Sequence, residues 1–233
     1  MATFNGQSYL KEQIDSILCQ LSEHDELIIS DDNSTDNTVS IIKSYKDNRI
    51  KIFLNKNKSG ISQNFQNALE KASGDIIFLS DQDDVWASNK VKEMSKWIEK
   101  YDLIVSDCEM VDQNMEQIES SFFCYNKSRG GFFRNFYKGS FYGSCMAFNK
   151  DILEKSLPFP KKKKVWHDLW IGEIAEVFGN VLFLPIPLIK YRRHNNATST
   201  TGKANHRALH TKVLTKTTFL YFFSLRYFKL KFS

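Results

Sequence analysis

The chain has 233 residues, a formal net charge of +5, and is 42% hydrophobic and 14% aromatic. That composition supports a sizeable core and excludes global disorder, and the length fits one domain with a short appendage. The mild positive charge suits an anionic substrate or surface and is too small to argue for nucleic acid.

Cys19, Cys108, Cys124 and Cys145 are far apart and form no C-x-x-C pair. This argues against zinc or a disulfide framework and for a reducing compartment. No apolar run approaches the ~20 residues of a membrane span. The start "MATFNGQSYL" lacks the basic and apolar regions of a secretory signal. The expectation is a cytoplasmic protein, attached at most to a membrane surface.

In chain order, "YLKEQIDSILCQL" puts Leu10, Ile14, Ile17, Leu18 and Leu21 on one helical stripe. "ELIIS" (26–30) reads as a buried strand, "TVSIIKSY" as a helix and "IKIFLN" (50–55) as a strand. "ISQNFQNALEKA" sets Ile61, Phe65, Ala68, Leu69 and Ala72 on one helical face. "GDIIFLS" is a strand, "SNKVKEMSKWIEKY" a helix with Ser88 as its cap, and "DLIVSD" a strand again. Strand and helix alternating over short connections imply right-handed βαβ units. The fold class is therefore α/β: a Rossmann-like, mostly parallel sheet flanked by helices.

The second half is less regular. Residues 108–138 read as a long connection and "GSCMAFN" as a strand. "PFPKKKKVW" is a lysine-rich loop, and "HDLWIGEIAEVFG" a helix closed by Gly179. "NVLFLPIPLIKY" is one or two strands broken by Pro185 and Pro187. The chain then turns basic and aromatic. The expected division is a domain over residues 1–199 and a tail over 200–233.

Open α/β sheets bind ligands at the carboxyl ends of their strands, and acids collect there. "ELIIS" ends in Asp31 and Asp32, "IIFLS" in Asp81 and Asp83 with Asp84 following, and "LIVS" in Asp107. Two carboxylates about 5 Å apart repel by roughly 3 kcal/mol at an effective dielectric of 20. A divalent cation reverses that cost. Oxygen ligands favour Mg²⁺ or Mn²⁺, whose shell is commonly completed by substrate phosphates. A solvated turn at "DQDD", and a turn or helix cap at "SDDNSTDNT" through Thr35 or Asp36, are the competing structural accounts. The second stretch lacks the Gly and Glu of a calcium loop.

"MATFNG" before a helix, then "IISDDNSTDNT", then "SGISQNFQNALEKASGDIIFLSDQDDVW" together resemble the family 2 glycosyltransferases of GT-A fold. The similarity is to the bacterial rhamnosyltransferase-like branch and covers roughly residues 1–195, with a smaller acceptor-side region in the second half. The resemblance implies a donor pocket formed by Thr3, Phe4, Asn5, Asp32, Asn64, Asp81 and Arg193. Phe4 would lie near the base and Asp32 would accept a hydrogen bond from it. "DQD" matches the metal triplet, with Asp83 as ligand, Asp81 nearer the ribose or metal waters, and His194 of "YRRH" as a further ligand. "WHDLW" matches the segment with the catalytic acid, which makes Asp168 the general base; His167 stands where Glu is usual. Trp166 and Trp170 would stack on an acceptor sugar or belong to the core.

One base and no covalent nucleophile imply single displacement with inversion. The expected substrates are a UDP- or dTDP-sugar and a saccharide or lipid-linked acceptor in cell-surface polysaccharide synthesis. Without a Q-x-x-R-W motif, one sugar is expected per encounter. Met1 stands where the family's first strand would be ending, so that strand is expected to be truncated, and one alternative is a catalytically impaired sugar-nucleotide-binding protein. The other alternative, a phosphate-processing α/β enzyme, lacks its G-x-x-x-x-G-K-[ST] loop. The tail "TTFLYFFSLRYFKLKFS" reads either as an amphipathic helix on the inner face of a bacterial plasma membrane or as a helix packed on the domain.

Overall fold

The structure is a computed structural model and describes residues 1–56, 60–161, 165–194 and 209–232, the last from residue 213 for side chains. The "KKKK" run is therefore described only at Lys161.

The first half follows the sequence pattern closely. β1 (Ala2–Thr3), α1 (Leu10–Leu18), β2 (Leu27–Asp31), α2 (Thr38–Ser44), β3 (Ile50–Leu54), α3 (Ile61–Leu69) and β4 (Ile76–Phe78) alternate as expected. β1, β2 and β3 form a parallel sheet in that order. β1 is short, pairing only Ala2 with Ser30 and Thr3 with Asp31. Asp36, not Thr35, serves the start of α2: its Oδ1 accepts from Thr38 N at 2.9 Å.

After β4 come β5 (Val85–Trp86), α4 (Lys90–Ser95) and β6 (Leu103–Val111). The residue flanking α4 is Asn89 and no side chain caps it, so the expected Ser88 cap is not formed. The stretch read as a long connection carries structure. β6 runs on to Val111, then β7 (Gln117–Glu119) pairs back on it, followed by α5 (Phe122–Asn126) and α6 (Phe132–Lys138). Polar and aromatic residues there obscured the periodicity.

A single 3₁₀ turn (Gly143–Cys145) leads into β8 (Met146–Asn149), α7 (Lys150–Ser156), α8 (His167–Phe178), β9 (Val181–Arg192) and α9 (Leu209–Phe232). The second sheet runs β4-β8-β6-β9-β5, and Ala2 N donates to Ser80 O (3.4 Å) where the two sheets meet. β8 is antiparallel to both β4 and β6, and β6 is parallel to β9. β4, β6 and β9 thus share a direction, with β8 inserted against them. The two prolines do not split β9. The register jumps from Ser106–Leu184 to Asp107–Pro187, so the residues between bulge outward where proline offers no N–H.

The core spans both halves: Leu10, Ile14 and Ile17 of α1, Ile29, Phe65, Leu103, Phe148 and Trp170 are all at most 1% exposed. α9 joins it through Phe219 and Phe223, which meet Trp170 edge-on. Arg226 fastens this helix by donating to the carbonyls of Lys155, Leu157 and Pro158. No helix among the described residues is long and apolar enough to cross a membrane.

Candidate active site

The loop after β1 is held by the loop after β2. Thr3 Oγ1 donates to Asp31 Oδ2 (2.8 Å), and Asp31 also accepts from N and Oγ of Ser34 (2.8 and 2.6 Å). Asp31 is fully buried by these contacts. Asp32 remains the partly open acid of the pair. Its carboxylate accepts from Asn55 Nδ2 and Gly60 N, each at 2.9 Å.

Two residues expected to face the donor are struts. Asn64 is 3% exposed, accepts from Ser30 Oγ (2.6 Å) and donates to Thr3 O (3.0 Å). Thr3 is 1% exposed and spent on Asp31. Both tie β1 to β2. Phe4 is open, at 54% exposure. Asn5 holds a left-handed turn (φ 48°), with Oδ1 accepting from Thr35 N.

Gln82, the middle residue of "DQD", brings the two halves together. Its Oε1 accepts from Phe4 N (2.9 Å) and its Nε2 donates to Phe4 O (3.0 Å), mimicking a strand pair. Gly6 permits this approach, because a Cβ there would lie 2.2 Å from Gln82 Oε1. Sequence reading passed over both residues. Their only signal was position, within "ATFNG" and between two aspartates.

The acid triplet is built asymmetrically. Ser144 Oγ donates to Asp81 Oδ2 (2.9 Å). Burial raises the Asp81 carboxyl to about 7, and the charges of Asp83 and, more weakly, Asp168 add to the rise. Asp83 Oδ2 lies 2.9 Å from Nε2 of His194. Asp84 is 1% exposed, and its Oδ1 accepts from Arg192 N (3.1 Å). Burial drives Asp84 well above the usual carboxylate range, with Asp83 and Asp81 adding to it. A buried cation nearby is Lys90, which donates to Ser144 O (2.5 Å) and lies 4.5 Å from the Trp86 ring. Burial lowers Lys90 to about 8 against the pull of Cys145, Asp84 and Cys108.

Arg192, at 4% exposure, is the hub beneath Asp83. Nε donates to Asp83 O (3.0 Å), Nη1 to Gln113 O (3.2 Å), and Nη2 pairs with Glu12, while the guanidinium sits 4.6 Å from the Tyr9 ring. Arg193, the arginine expected at the diphosphate, anchors its backbone N on Val111 O (2.8 Å).

Asp168 lies in the first turn of α8, where Oδ1 accepts from Leu169 N (2.7 Å), and burial raises its carboxyl to about 6. His167 turns the other way: it stacks on Phe65 with centroids 4.0 Å apart, and neither ring nitrogen has a partner among the described residues. Trp170 is core, donating to Ser156 O. Asp107 does not join the rim. It is 3% exposed and accepts from Ser121 Oγ and from the backbone of Cys108 and Phe123, fixing the start of α5.

Asp83 and His194 are in contact, but together with Asp81 they form no group that could hold a divalent ion among the described residues. Two carboxylates and an imidazole suit Mn²⁺ or Mg²⁺ finished by phosphate oxygens.

Residues 1–157 match the family model described as Glycosyl transferase family 2, so the chain belongs to that family. Among curated proteins it is similar to a GalNAc(5)-diNAcBac-PP-undecaprenol beta-1,3-glucosyltransferase of Campylobacter jejuni, 40% identical over 46% of this chain and 36% of that one. It also resembles the dTDP-rhamnosyl transferase RfbG of Shigella flexneri, 37% identical over 40% of this chain and 34% of the other. The chain thus spans about a third of the length of these relatives. The solved structure of S. aureus TarS 1–349 with UDP-GlcNAc superimposes with a TM-score of 0.70 at 18% identity, covering 94% of this chain and 70% of that one. A Pyrobaculum calidifontis mannosyltransferase with GDP-Man and Mn²⁺ gives 0.61 at 20%, covering 86% and 56%. The fold is the GT-A fold that the family resemblance implied.

Proposed function

We propose that this protein is an inverting, non-processive glycosyltransferase that moves one sugar from a nucleotide-diphosphate sugar to a saccharide or lipid-linked acceptor in cell-surface polysaccharide synthesis. The observation that carries this reading is the Gly143–Cys145 turn, where Ser144 Oγ donates to Asp81 Oδ2 (2.9 Å) and a Cβ on the adjoining Gly143 would lie 3.9 Å from Asp168 Cβ. That proximity supports a cleft shared by the "DQD" loop and the α8 carboxylate. Phe4, Asn5 and Asp32 line the nucleotide side, and Asp83 with His194 and Asp81 would hold the ion together with substrate phosphate oxygens. When bound, that Mn²⁺ or Mg²⁺ supplies Lewis-acid stabilisation of the departing diphosphate. Asp168 takes the acceptor hydroxyl proton as that oxygen bonds to the anomeric carbon. The bond from the same carbon to the diphosphate oxygen breaks, and the nucleoside diphosphate leaves with the electron pair.

The donor classes are drawn from the relatives, one a rhamnosyl and one a glucosyl transferase. Attachment to the inner face of a bacterial plasma membrane is supported by α9, where Leu220, Tyr221, Leu225, Phe228 and Phe232 are exposed beside lysines. The test is a donor screen by calorimetry with Mn²⁺, followed by transfer of labelled sugar to a lipid-linked acceptor. Binding of some UDP- or dTDP-sugar with transfer supports the reading, binding without transfer leaves a sugar-nucleotide binder, and no binding rejects it.

A further inference from the structure

The segment after β1 and the loop after β4 run side by side. Ala2 N reaches Ser80 O at 3.4 Å. Two residues further along each segment, the Gln82 amide makes the contact: Oε1 accepts from Phe4 N (2.9 Å) and Nε2 donates to Phe4 O (3.0 Å). The next three N–H groups go the other way. Asn5 N donates to Ser34 Oγ (2.9 Å), Gly6 N to Thr38 Oγ1 (2.7 Å) and Gln7 N to Asp36 Oδ2 (3.1 Å). The loop after β1 is thus fixed toward β2 and α2 by three donors and toward the "DQD" loop by Gln82. Asp81 and Asp83, on either side of Gln82, turn to Ser144 and His194. Gly6 completes the fit. A Cβ there would lie 2.2 Å from Oε1 and 2.5 Å from Cδ of Gln82, so the amide lies against a bare Cα.

A nucleoside diphosphate carries a base at one end and a charged diphosphate at the other. Two subsites add their affinities in full only when the protein holds them at the spacing of the joined ligand. We propose that Gln82 is the positioning residue that sets this spacing: it locks the Phe4 main chain, on the base side, to the acid triplet, on the diphosphate side. The inference rests on the reading of Phe4 and the triplet as the two ends of the donor pocket. An amide suits the task. It supplies one acceptor and one donor to match the N–H and C=O of Phe4, and it adds no charge between Asp81 and Asp83.

The probes are UDP and dTDP, with uridine, thymidine and pyrophosphate as their separate ends. All are titrated in Mn²⁺, by calorimetry or, for the weaker ends, by ligand-observed NMR. Gln82→Ala should weaken the nucleoside diphosphate about tenfold and change its separate ends by less than about twofold. Gly6→Ala should cost about the same, because its methyl group displaces the amide. Added to Gln82→Ala, it should cost nothing further, since the methyl group enters space the amide has left. A general loss of folding would instead show in the melting temperature and add across the two positions. Unchanged affinity in Gln82→Ala, an equal loss for a separate end, or additive losses for Gly6→Ala would each overturn the assignment. Wild-type behaviour separates the two readings. If the wild type binds nucleotide and transfers sugar, and Gln82→Ala binds the nucleotide equally well, the transferase reading stands and only this inference fails. If the wild type binds neither nucleotide, both fail.

Discussion

Nε2 of His194 and Oδ2 of Asp83 lie 2.9 Å apart, across 111 residues of chain. A protein would hold a carboxylate and an imidazole in this way for a hydrogen bond, or for an ion that separates them. If the pair is an ion site, Asp83→Ala should abolish metal-dependent nucleotide binding, and His194→Ala should weaken it by on the order of 10–100-fold. Calorimetry with UDP and dTDP, with and without Mn²⁺, reads both. Equal affinity of wild type and Asp83→Ala in Mn²⁺ would remove the ion from this pair.

Asp168 is poised as a base because burial lifts its carboxyl to about 6. A general base acts when deprotonated, so transfer should rise with pH through about 6 and level off above it, within the range where other groups do not intervene. Asp168→Asn should keep nucleotide affinity and lose about 10²–10⁴-fold in transfer rate. Initial rates between pH 5 and 8 under saturating donor check the first part. A mutant that turns over at the wild-type rate would transfer the role to another group.

The fold and the site were legible to different depths. α1 and α3 announced themselves by one buried face at regular helical spacing, as with Leu10, Ile14 and Ile17, and β2 by a short apolar run that is buried throughout. The "DQD" acids were legible as chemistry, since carboxylates after a buried strand demand a partner, whereas Asp168 as a base was implied only by the family resemblance. Side-chain direction was not. Asn64 and Thr3 have the residue types of a ligand pocket but spend their polar atoms between β1 and β2. Asp107 was expected to end a strand as Asp81 follows one, yet β6 runs on through it to Val111 beside the inserted β8, and its carboxylate meets the start of α5. That insertion is a long-range pairing, and no local period encodes it. Gln82 was invisible for a similar reason: its partner is the backbone of Phe4, 78 residues away.

Arg192 tests how much of the cleft is scaffold. It is 4% exposed and links β9 to Asp83, Gln113 and Glu12, whereas Glu12 is half exposed and can hydrate alone. Arg192→Met should therefore cost about 2 kcal/mol, below the ~3–5 kcal/mol of a fully buried pair. For a chain of this size that is a melting temperature lower by roughly 4–8 °C. Glu12→Gln should cost less than about 1 kcal/mol. Thermal unfolding of the two variants checks the order, and equal shifts would show that the ion pair, not the carbonyl contacts, carries the hub.

Two buried groups near α8 should tilt stability with pH in opposite senses. His167, with its ring stacked on Phe65, is lowered by burial to about 3, so the unfolded chain binds its proton first. Its contribution is intact above about 6.5 and is lost as pH falls from there toward 3, at up to ~1.4 kcal/mol per pH unit. Glu173 is fully buried, neither carboxyl oxygen has a partner among the described residues, and burial followed by Glu176 raises it to about 9. Its protonated form is stable in the fold, so its contribution is complete below about 4.5 and falls as pH climbs toward 9. Urea unfolding from pH 4 to 8.5 should show His167→Phe flattening the acid limb and Glu173→Gln flattening the alkaline one. Parallel curves for wild type and both variants would mean that neither group is held in its neutral form by the fold.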